Sequence, residues 1–367
     1  MNGMSDQVVI FEELEAAGGS RIGVARLNAP RAMNALSLEM IHLLKAKLDQ
    51  WAADDTIGAV WLEGEGDKAL CAGGDIVALY RDMTEPRSDS RAVSEGDRFF
   101  TDEYELDYQI HTYPKPFIVW GNGVVMGGGI GLMSGGSHRV VTEHSRVAMP
   151  EVSIGLYPDV GAGWFLNKMP GRIGLFLGLT GARMNGADAL FTGLADRFIR
   201  HDMREEVKQA LQQSGFAGLE GGAHAAVSKV LRRFEEGSRE AMPQAVVREH
   251  FDVIQALTDG DSLVDVVDNL SQYAGEDPWL IKAVKTVAAA SPASLTLTWQ
   301  HYHDTLHDSL SQVFDKELQI SKRCLKMGEF AEGVRALLID KDLKPRWHFP
   351  TLKSVDPEWI DRFFIEP

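Results

Sequence analysis

The chain has 367 residues, 44% of them hydrophobic and 25% charged, a composition typical of a globular protein with a sizeable core. Its formal charge of −16 argues against a general nucleic-acid or membrane-surface binder, because such partners select broad basic patches. Cys71 and Cys324 give no disulfide framework, which favours a reducing compartment. Since no signal sequence, presequence or apolar run of ~20 residues is evident, the sequence predicts a cytoplasmic protein.

The N-terminal segments predict a hairpin, a helix and a third strand. Residues 8–14 and 21–27 are rich in apolar side chains on either side of a Gly-Gly-Ser turn. Ser37 then predicts a helix N-cap. Apolar residues spaced three and four apart mark the buried face of that helix: Met40, Ile41, Leu44 and Leu48. Residues 59–62 predict the third strand.

The same rhythm of strands and helices recurs further along the chain. It is seen at residues 117–119, in a helix opening near Gly128, and at residues 140–141 with 147–148. The repeat indicates an α/β spiral. Residues 82–97 predict a mobile polar loop, either a lid or plain surface, and residues 99–110 predict a helix.

Beyond Asp196 the apolar spacing becomes helical, with residues 214–222 as the most linker-like connection. The helix faces are marked by apolar side chains: Phe251, Ile254, Val264, Val267, Leu270, Phe314, Leu318 and Leu325. We therefore expect two regions, a spiral core over residues 1–200 and a helical C-terminal region over residues 201–367.

Two glycine-rich turns are the strongest functional signal in the sequence. They are Cys71-Ala72-Gly73-Gly74-Asp75 and Met126-Gly127-Gly128-Gly129. Turns without bulky side chains can each aim a backbone N–H at one point, as a carbonyl oxygen gaining negative charge requires. Alternatively, the glycines only allow a helix and a strand to pack closely. A dinucleotide site is disfavoured, because the βαβ unit with an acidic residue about 20 positions on is not evident.

Two carboxylates follow the second turn. Glu151 and Asp159 are each preceded by a proline and would be placed to move a proton or activate water. On spacing alone, each is also compatible with a helix-capping or helix-dipole role. His303 and His307 are four apart, but no third ligand accompanies them, so we predict no metal.

The motifs form an ordered set: Asn34-Ala35-Leu36, the first glycine turn, Asn122-Gly123, the second glycine turn, and Pro150-Glu151. This set resembles the enoyl-CoA hydratase/isomerase (crotonase) superfamily. Two further motifs, Tyr157 to Gly161 and the tail from Glu332 to Trp347, are similar to its 3-hydroxyisobutyryl-CoA hydrolase branch. The resemblance covers nearly the whole chain and implies a crotonase-like spiral of ββα units.

The resemblance also implies roles for matching residues. The backbone amides of Ala72 and Gly128 would form an oxyanion hole, with Gly73 and Gly74 lining the substrate. Glu151 would attack the thioester or activate water.

Asp159 would act beside Glu151 as proton donor, water orienter or partner to a substrate hydroxyl. Glu103 would accept a hydrogen bond from a 3-hydroxyl group, although a solvent-facing helix glutamate is the alternative. Asp75, counted with the substrate-binding turn, is expected to cap the following helix. Gly131 stands where hydratases of this superfamily carry a second glutamate, so hydrolysis is preferred over hydration.

Coenzyme A is polyanionic, so a local basic cluster must override the negative charge of the chain. Lys68 and Arg31 are candidates, and solvated surface charges are the alternative. The expected function is hydrolysis of 3-hydroxyisobutyryl-CoA in valine degradation, with no cofactor besides the substrate's own coenzyme A. Two alternatives stay open, an enoyl-CoA hydratase or isomerase and a non-catalytic acyl-CoA-binding protein. The superfamily often forms trimers, but here the long tail could cover the same surface.

Overall fold

The computed structural model describes residues 7–85, 93–216 and 222–365. Within these ranges it contains nine strands: β1 (Val9–Glu15), β2 (Arg21–Leu27), β3 (Ile57–Gly64), β4 (Ala69–Cys71), β5 (Phe117–Gly121), β6 (Val124–Met126), β7 (His138–Val141), β8 (Arg146–Ala148) and β9 (Arg197–Phe198).

Seventeen α-helices lie in the same ranges: α1 (Leu38–Ala53), α2 (Ile76–Thr84), α3 (Glu95–His111), α4 (Gly128–Ser134), α5 (Ala162–Phe165), α6 (Ile173–Thr180), α7 (Gly186–Phe191), α8 (Arg204–Ser214), α9 (Gly222–Ser238), α10 (Val246–Glu249), α11 (Phe251–Leu257), α12 (Leu263–Ser271), α13 (Pro278–Ala289), α14 (Pro292–Asp304), α15 (Leu310–Met327), α16 (Glu329–Val334) and α17 (Pro357–Phe364).

Contacts divide the chain into two compact units. Unit 1 comprises Met1–Gly74, Glu105–Val147 and Met184–Val246, and unit 2 comprises Asp75–Tyr104, Ala148–Arg183 and Val247–Pro367. The sequence instead predicts one boundary near residue 200. This division into two domains differs from the two compact units and stays a prediction.

Unit 1 is built on a six-stranded sheet in the order β1-β2-β3-β5-β7-β9, with a smaller sheet ordered β4-β6-β8. The hairpin pair β1 and β2 is antiparallel, whereas β2, β3, β5, β7 and β9 run parallel. Parallel strands are usually covered on both faces, and every residue of β5 is buried. The rings of Trp61 and Trp120 stack with their centroids 5.3 Å apart, in a core to which α8 and α9 also contribute.

Unit 2 is mostly helical. Helix α6 has all eight of its residues buried, as expected for a helix that is apolar on every side. It packs against α13 and α14, while α15 packs against α16 and α17. This unit also contains the short 3₁₀ helix Glu151–Ile154.

The structure confirms an α/β protein with a helical C-terminal region, and it confirms most of the predicted elements. Ser37 caps α1, and the predicted apolar face of that helix is buried. In α12, however, Leu263, Val266 and Leu270 are buried rather than Val264 and Val267. The capping box of Ser262 begins the helix at Leu263 and so sets which side chains face inward.

Two predicted connections are only partly described. Residues 82–84 of the predicted polar loop belong to α2, residues 95–97 belong to α3, and residues 86–92 lie outside the described residues. Residues 217–221 of the predicted linker also lie outside them. In the part of the chain that is described, no helix is both long and apolar enough to cross a bilayer.

Candidate active site

The first glycine turn follows β4 and is held by the buried Asn34 side chain. The Asn34 amide nitrogen donates to the carbonyl oxygen of Ala69 at 2.9 Å. The N–H of Ala72 donates to the carbonyl oxygen of Met33 at 3.1 Å. Backbone and side-chain bonds therefore both fix the conformation of this turn.

The second glycine turn leads into α4. Gly127 has φ 48° and ψ −122°, a conformation open in practice only to glycine. A Cβ on Gly129 would lie 2.3 Å from the carbonyl oxygen of Cys71. The two turns therefore approach each other closely because residue 129 has no side chain.

The hydrogen bonds correct the predicted pair of oxyanion donors. The Ala72 N–H is occupied by Met33 and is not available to a ligand in this structure. Among the described residues, the backbone N–H groups of Gly74 and Gly128 donate to no acceptor, and the same holds for their neighbours Gly73 and Gly129. The sequence could not show that the Ala72 amide is already bonded, because a turn's pattern does not reveal which of its amides the backbone uses.

The other predicted substrate residues of unit 1 lie on neighbouring loops. Arg31, in a 3₁₀ helix, and Lys68, just before β4, are both exposed. A Cβ on Gly66 would lie 3.9 Å from Pro30 Cβ, so the two loops are adjacent. Both cations are accessible, and their role in binding an anion stays a prediction.

Asp75 is the N-cap of α2, as predicted. Its carboxylate accepts the Ala78 N–H at 3.1 Å. Its expected contribution to substrate binding stays a prediction. Glu103 lies on α3 and is 2% exposed, so it is not the solvent-facing glutamate that was the alternative.

Glu151 begins the 3₁₀ helix Glu151–Ile154 and is buried. Within the described ranges, its Oε2 atom has no hydrogen-bond partner. Burial raises the pKa of this carboxyl well above its usual range, and the negative charge of Asp159 adds to the effect. A buried carboxyl oxygen without a hydrogen-bond partner is costly to folding, and such groups are more frequent at functional sites.

Asp159 is also buried, in the loop before α5. Its side chain does not cap α5, since Gly161 occupies the N-cap of that helix without a side-chain bond. Its Oδ2 accepts the hydroxyl of Tyr104 at 2.6 Å. Burial raises its pKa to about 7, the Tyr104 bond opposes this, and the charge of Glu317 reinforces it.

Glu151 and Asp159 are thus close enough to act on each other electrostatically. Two carboxylates in one buried environment resist being ionised together, so the pair tends to retain a proton near neutral pH. Such a pair can offer one basic and one acidic oxygen to a reaction.

Sequence reasoning missed the residues that surround Asp159. Tyr104 contacts it directly, and Glu317 and Ser321 lie on the buried face of α15. One signal in the sequence could have indicated them. Glu317 and Ser321 are polar residues four positions apart, on a helix face otherwise marked by the apolar Phe314 and Leu325.

The histidine pair considered for a metal does not share a helix face. Helix α14 ends at Asp304, so it contains His303 but not His307. His303 instead places Nδ1 2.8 Å from the carbonyl oxygen of Trp299. In the described ranges, no cluster of three or more His, Cys, Asp or Glu side chains is arranged to hold a metal ion.

Comparison with known proteins identifies the family and the relatives that the chain resembles. Residues 22–364 match the family model described as enoyl-CoA hydratase/isomerase. The chain is 37% identical over 365 residues to the mitochondrial 3-hydroxyisobutyryl-CoA hydrolase of Danio rerio, covering 99% of this chain and 91% of that protein. It is 33% identical over 362 residues to the Homo sapiens protein of the same name, covering 98% and 90%.

Solved structures extend the comparison to the fold. A carnitinyl-CoA dehydratase from Mycobacterium thermoresistibile superposes with TM-score 0.85 at 33% identity, covering 99% of this chain and 97% of that one. An enoyl-CoA hydratase from Rhodobacter sphaeroides superposes with TM-score 0.81 at 30% identity, covering 98% and 97%.

The relatives also show that the predicted cytoplasmic location was wrong, since the hydrolases are named as mitochondrial proteins. The prediction rested partly on two unpaired cysteines. Free thiols indicate only a reducing environment, and they do not select one reducing compartment over another.

Proposed function

Because the chain belongs to the enoyl-CoA hydratase/isomerase family, we propose that it hydrolyses an acyl-CoA thioester, with 3-hydroxyisobutyryl-CoA as the leading substrate. The names of the full-length relatives support this substrate. The observation that carries the proposal is the buried, electrostatically coupled pair of Glu151 and Asp159. The products would be coenzyme A and 3-hydroxyisobutyrate, as in valine degradation, and no cofactor is needed.

In the proposal, the thioester carbonyl oxygen accepts hydrogen bonds from the backbone amides of Gly74 and Gly128. Both N–H groups lack an acceptor among the described residues, and Gly128 also opens α4. Fixed donors stabilise the negative charge that develops on this oxygen, by about 3–4 kcal/mol for each donor.

Glu151 is the proposed base or nucleophile. In one route its carboxylate attacks the carbonyl carbon, coenzyme A leaves as the thiolate, and water hydrolyses the resulting anhydride. In the other route it removes a proton from a water molecule, which attacks the same carbon while the thiolate leaves. Its raised pKa makes the ionised carboxylate more basic, so activity should rise with pH as Glu151 loses its proton.

Asp159 acts beside Glu151 by holding a proton or orienting the water. Glu103, buried on α3, is the proposed acceptor for the substrate 3-hydroxyl group. Lys68 and Arg31 are the proposed partners of the coenzyme A phosphates. These assignments would together select a hydroxyacyl thioester with an anionic carrier.

Hydration of an enoyl-CoA is the second candidate, because the solved structures that superpose well are named hydratase and dehydratase. Gly131 weighs against it. This buried glycine of α4 has no carboxylate to share the addition of water across a double bond.

The test is release of free thiol from 3-hydroxyisobutyryl-CoA, 3-hydroxypropionyl-CoA, acetyl-CoA and crotonyl-CoA. We expect thiol release from the hydroxyacyl thioesters and a loss of at least about 100-fold in kcat for Glu151→Gln. Glu39→Gln, which makes the same change at an exposed position of α1, is the control and should keep wild-type activity.

Loss of the crotonyl double bond without thiol release would replace hydrolysis by hydration. Binding of the thioesters without any turnover, equally in wild type and Glu151→Gln, would identify an acyl-CoA-binding protein instead.

A further inference from the structure

One buried face of α15 contacts the loop that carries Asp159 on both sides of that residue. The side chain of Glu317 accepts the N–H of Gly161 at 2.6 Å and the N–H of Gly163 at 3.0 Å. The backbone carbonyl of the same Glu317 accepts the hydroxyl of Tyr157 at 2.8 Å. One residue of α15 therefore holds the loop before and after Asp159.

The Glu317 carboxylate is 0% exposed and has a third neighbour. His301 Nε2 lies 3.0 Å from Glu317 Oε1, and it donates to this oxygen when it carries the proton. Two backbone N–H groups and one imidazole nitrogen thus converge on one buried carboxylate, as a buried polar group requires.

A second set of contacts holds the Asp159 side chain itself. The Tyr104 hydroxyl donates to Asp159 Oδ2 at 2.6 Å, and the same hydroxyl lies 2.6 Å from Ser321 Oγ. Ser321 Oγ also lies 3.0 Å from the Tyr157 hydroxyl. Ser321 stands one turn after Glu317 on α15, so both sets of contacts arise from the same face.

The backbone at this point needs such support. Val160, next to Asp159, has φ 55°, a conformation that β-branched residues rarely adopt. Strained conformations persist only where surrounding bonds over-determine them, and they cluster at functional sites. The bonds from Glu317 to the loop supply that constraint.

We propose that Glu317, Tyr104 and Ser321 are positioning residues that fix the location and the protonation of the Asp159 carboxyl during catalysis. None of them is assigned to contact substrate. This proposal rests on the proposed function of Asp159 and adds the residues that hold its carboxyl in place.

The groups that face Asp159 can be identified from each packed element. They are Tyr104 from α3, Glu151 from the 3₁₀ helix, Tyr157 from its own loop, and Glu317 and Cys324 from α15. Of these, Tyr104 stabilises the ionised Asp159 by donating a hydrogen bond, whereas Glu317 destabilises it by its negative charge. Tyr104 and Glu317 therefore act on the pKa of Asp159 in opposite directions.

These opposite effects on the pKa of Asp159 provide a test, because residues with a merely structural role would not shift the pH profile in opposite directions. We would record kcat against pH for thioester hydrolysis by wild type, Tyr104→Phe and Glu317→Gln. The limb of this pH profile that reports the ionisation of Asp159 should move to higher pH in Tyr104→Phe and to lower pH in Glu317→Gln. Each shift should be at least about half a pH unit. Both variants should also lose kcat with a smaller change in KM.

Two features of the design guard against simple destabilisation. Tyr104→Phe keeps the ring that packs 5.8 Å from Phe100 and 5.9 Å from Phe314, so it should fold even if Glu317→Gln does not. Glu63→Gln alters another buried carboxylate, whose ion-pair partners include Arg26 and Lys208, and should leave the pH limb in place.

Variants that fold, lose activity and keep the wild-type pH limb would overturn the positioning role. A limb that moves in the same direction in both variants would also overturn it. If wild type itself releases no thiol, the proposed function fails instead, which separates the two failures.

Discussion

At the scale of single residues, the site depends on two glycines at positions where a side chain could not be accommodated. Gly129 lies where a methyl group would stand 2.3 Å from the Cys71 carbonyl oxygen, and Gly127 adopts a backbone conformation that side chains exclude. These two positions allow the glycine turns to approach each other, so that the amides of Gly74 and Gly128 belong to one region of unit 1.

Replacement of Gly129 tests this close approach. Gly129→Ala must displace the backbone at Cys71, because a carbonyl oxygen cannot yield as a flexible side chain can. We expect the free energy of unfolding to fall by about 1–3 kcal/mol and kcat to fall with it, measured by urea denaturation and thiol release.

Gly237→Ala is the matched control. Gly237 is an exposed residue of α9, and a Cβ there would meet only Met203 Cε, at 3.8 Å. This variant should be stabilised by about 0.5–1 kcal/mol through helix propensity, with unchanged activity. Equal effects of the two alanines would contradict the argument from close approach.

At the scale of elements, helix starts are determined locally. The Ser37 hydroxyl accepts the Met40 N–H at 3.2 Å, and Asp75 does the same for α2. Both donor and acceptor lie within one turn, so the sequence predicts them without reference to the rest of the fold.

Removal of the Ser37 cap should cost stability but not chemistry. Ser37→Ala leaves the first turn of α1 without its side-chain acceptor, and we expect a loss of about 1 kcal/mol in urea denaturation with kcat unchanged. Ser37→Asp retains an acceptor and should stay close to wild type. A loss of activity in Ser37→Ala at full folding would show that α1 does more than support the core.

At the scale of the whole molecule, the site opposes stability. The pKa of Asp159 is about 7 in the folded chain, against 3.8 for the free group. Between these values the folded state binds more protons than the unfolded state, so this group's contribution becomes more favourable as pH falls through 7. Above pH 7 the ionised, buried carboxylate disfavours folding.

Asp159→Asn should therefore stabilise the chain while lowering kcat. At pH 8.5 we expect its free energy of unfolding to exceed that of wild type by at least about 1 kcal/mol. The difference should shrink steadily as pH falls below 7, because wild type then takes up the proton. Denaturant midpoints across this pH range provide the measurement.

Asp55→Asn makes the same chemical change at an exposed position and is the control. A stability difference for Asp159→Asn that does not depend on pH would mean that the gain comes from packing rather than from the removal of a buried charge.

The sequence by itself determined the features whose causes are local. Each of these features can be recognised from a few neighbouring residues: the strand and helix periods, the Ser37 and Asp75 caps, the glycine turns and the carboxylates that follow prolines. The ordered motifs, taken with the resemblance, were sufficient for the family and the fold, and they predict Glu151 and Asp159 as the reactive pair.

Only the tertiary structure decided which backbone amides are free and what surrounds Asp159. The Ala72 N–H is used by Met33, far away in sequence, and Glu317 reaches Gly161 across 156 positions. Bonds between distant segments leave no periodic signal, because each partner is satisfied only after the chain has folded. The same holds for the pKa of a buried carboxyl, which depends on the charges that folding brings to it.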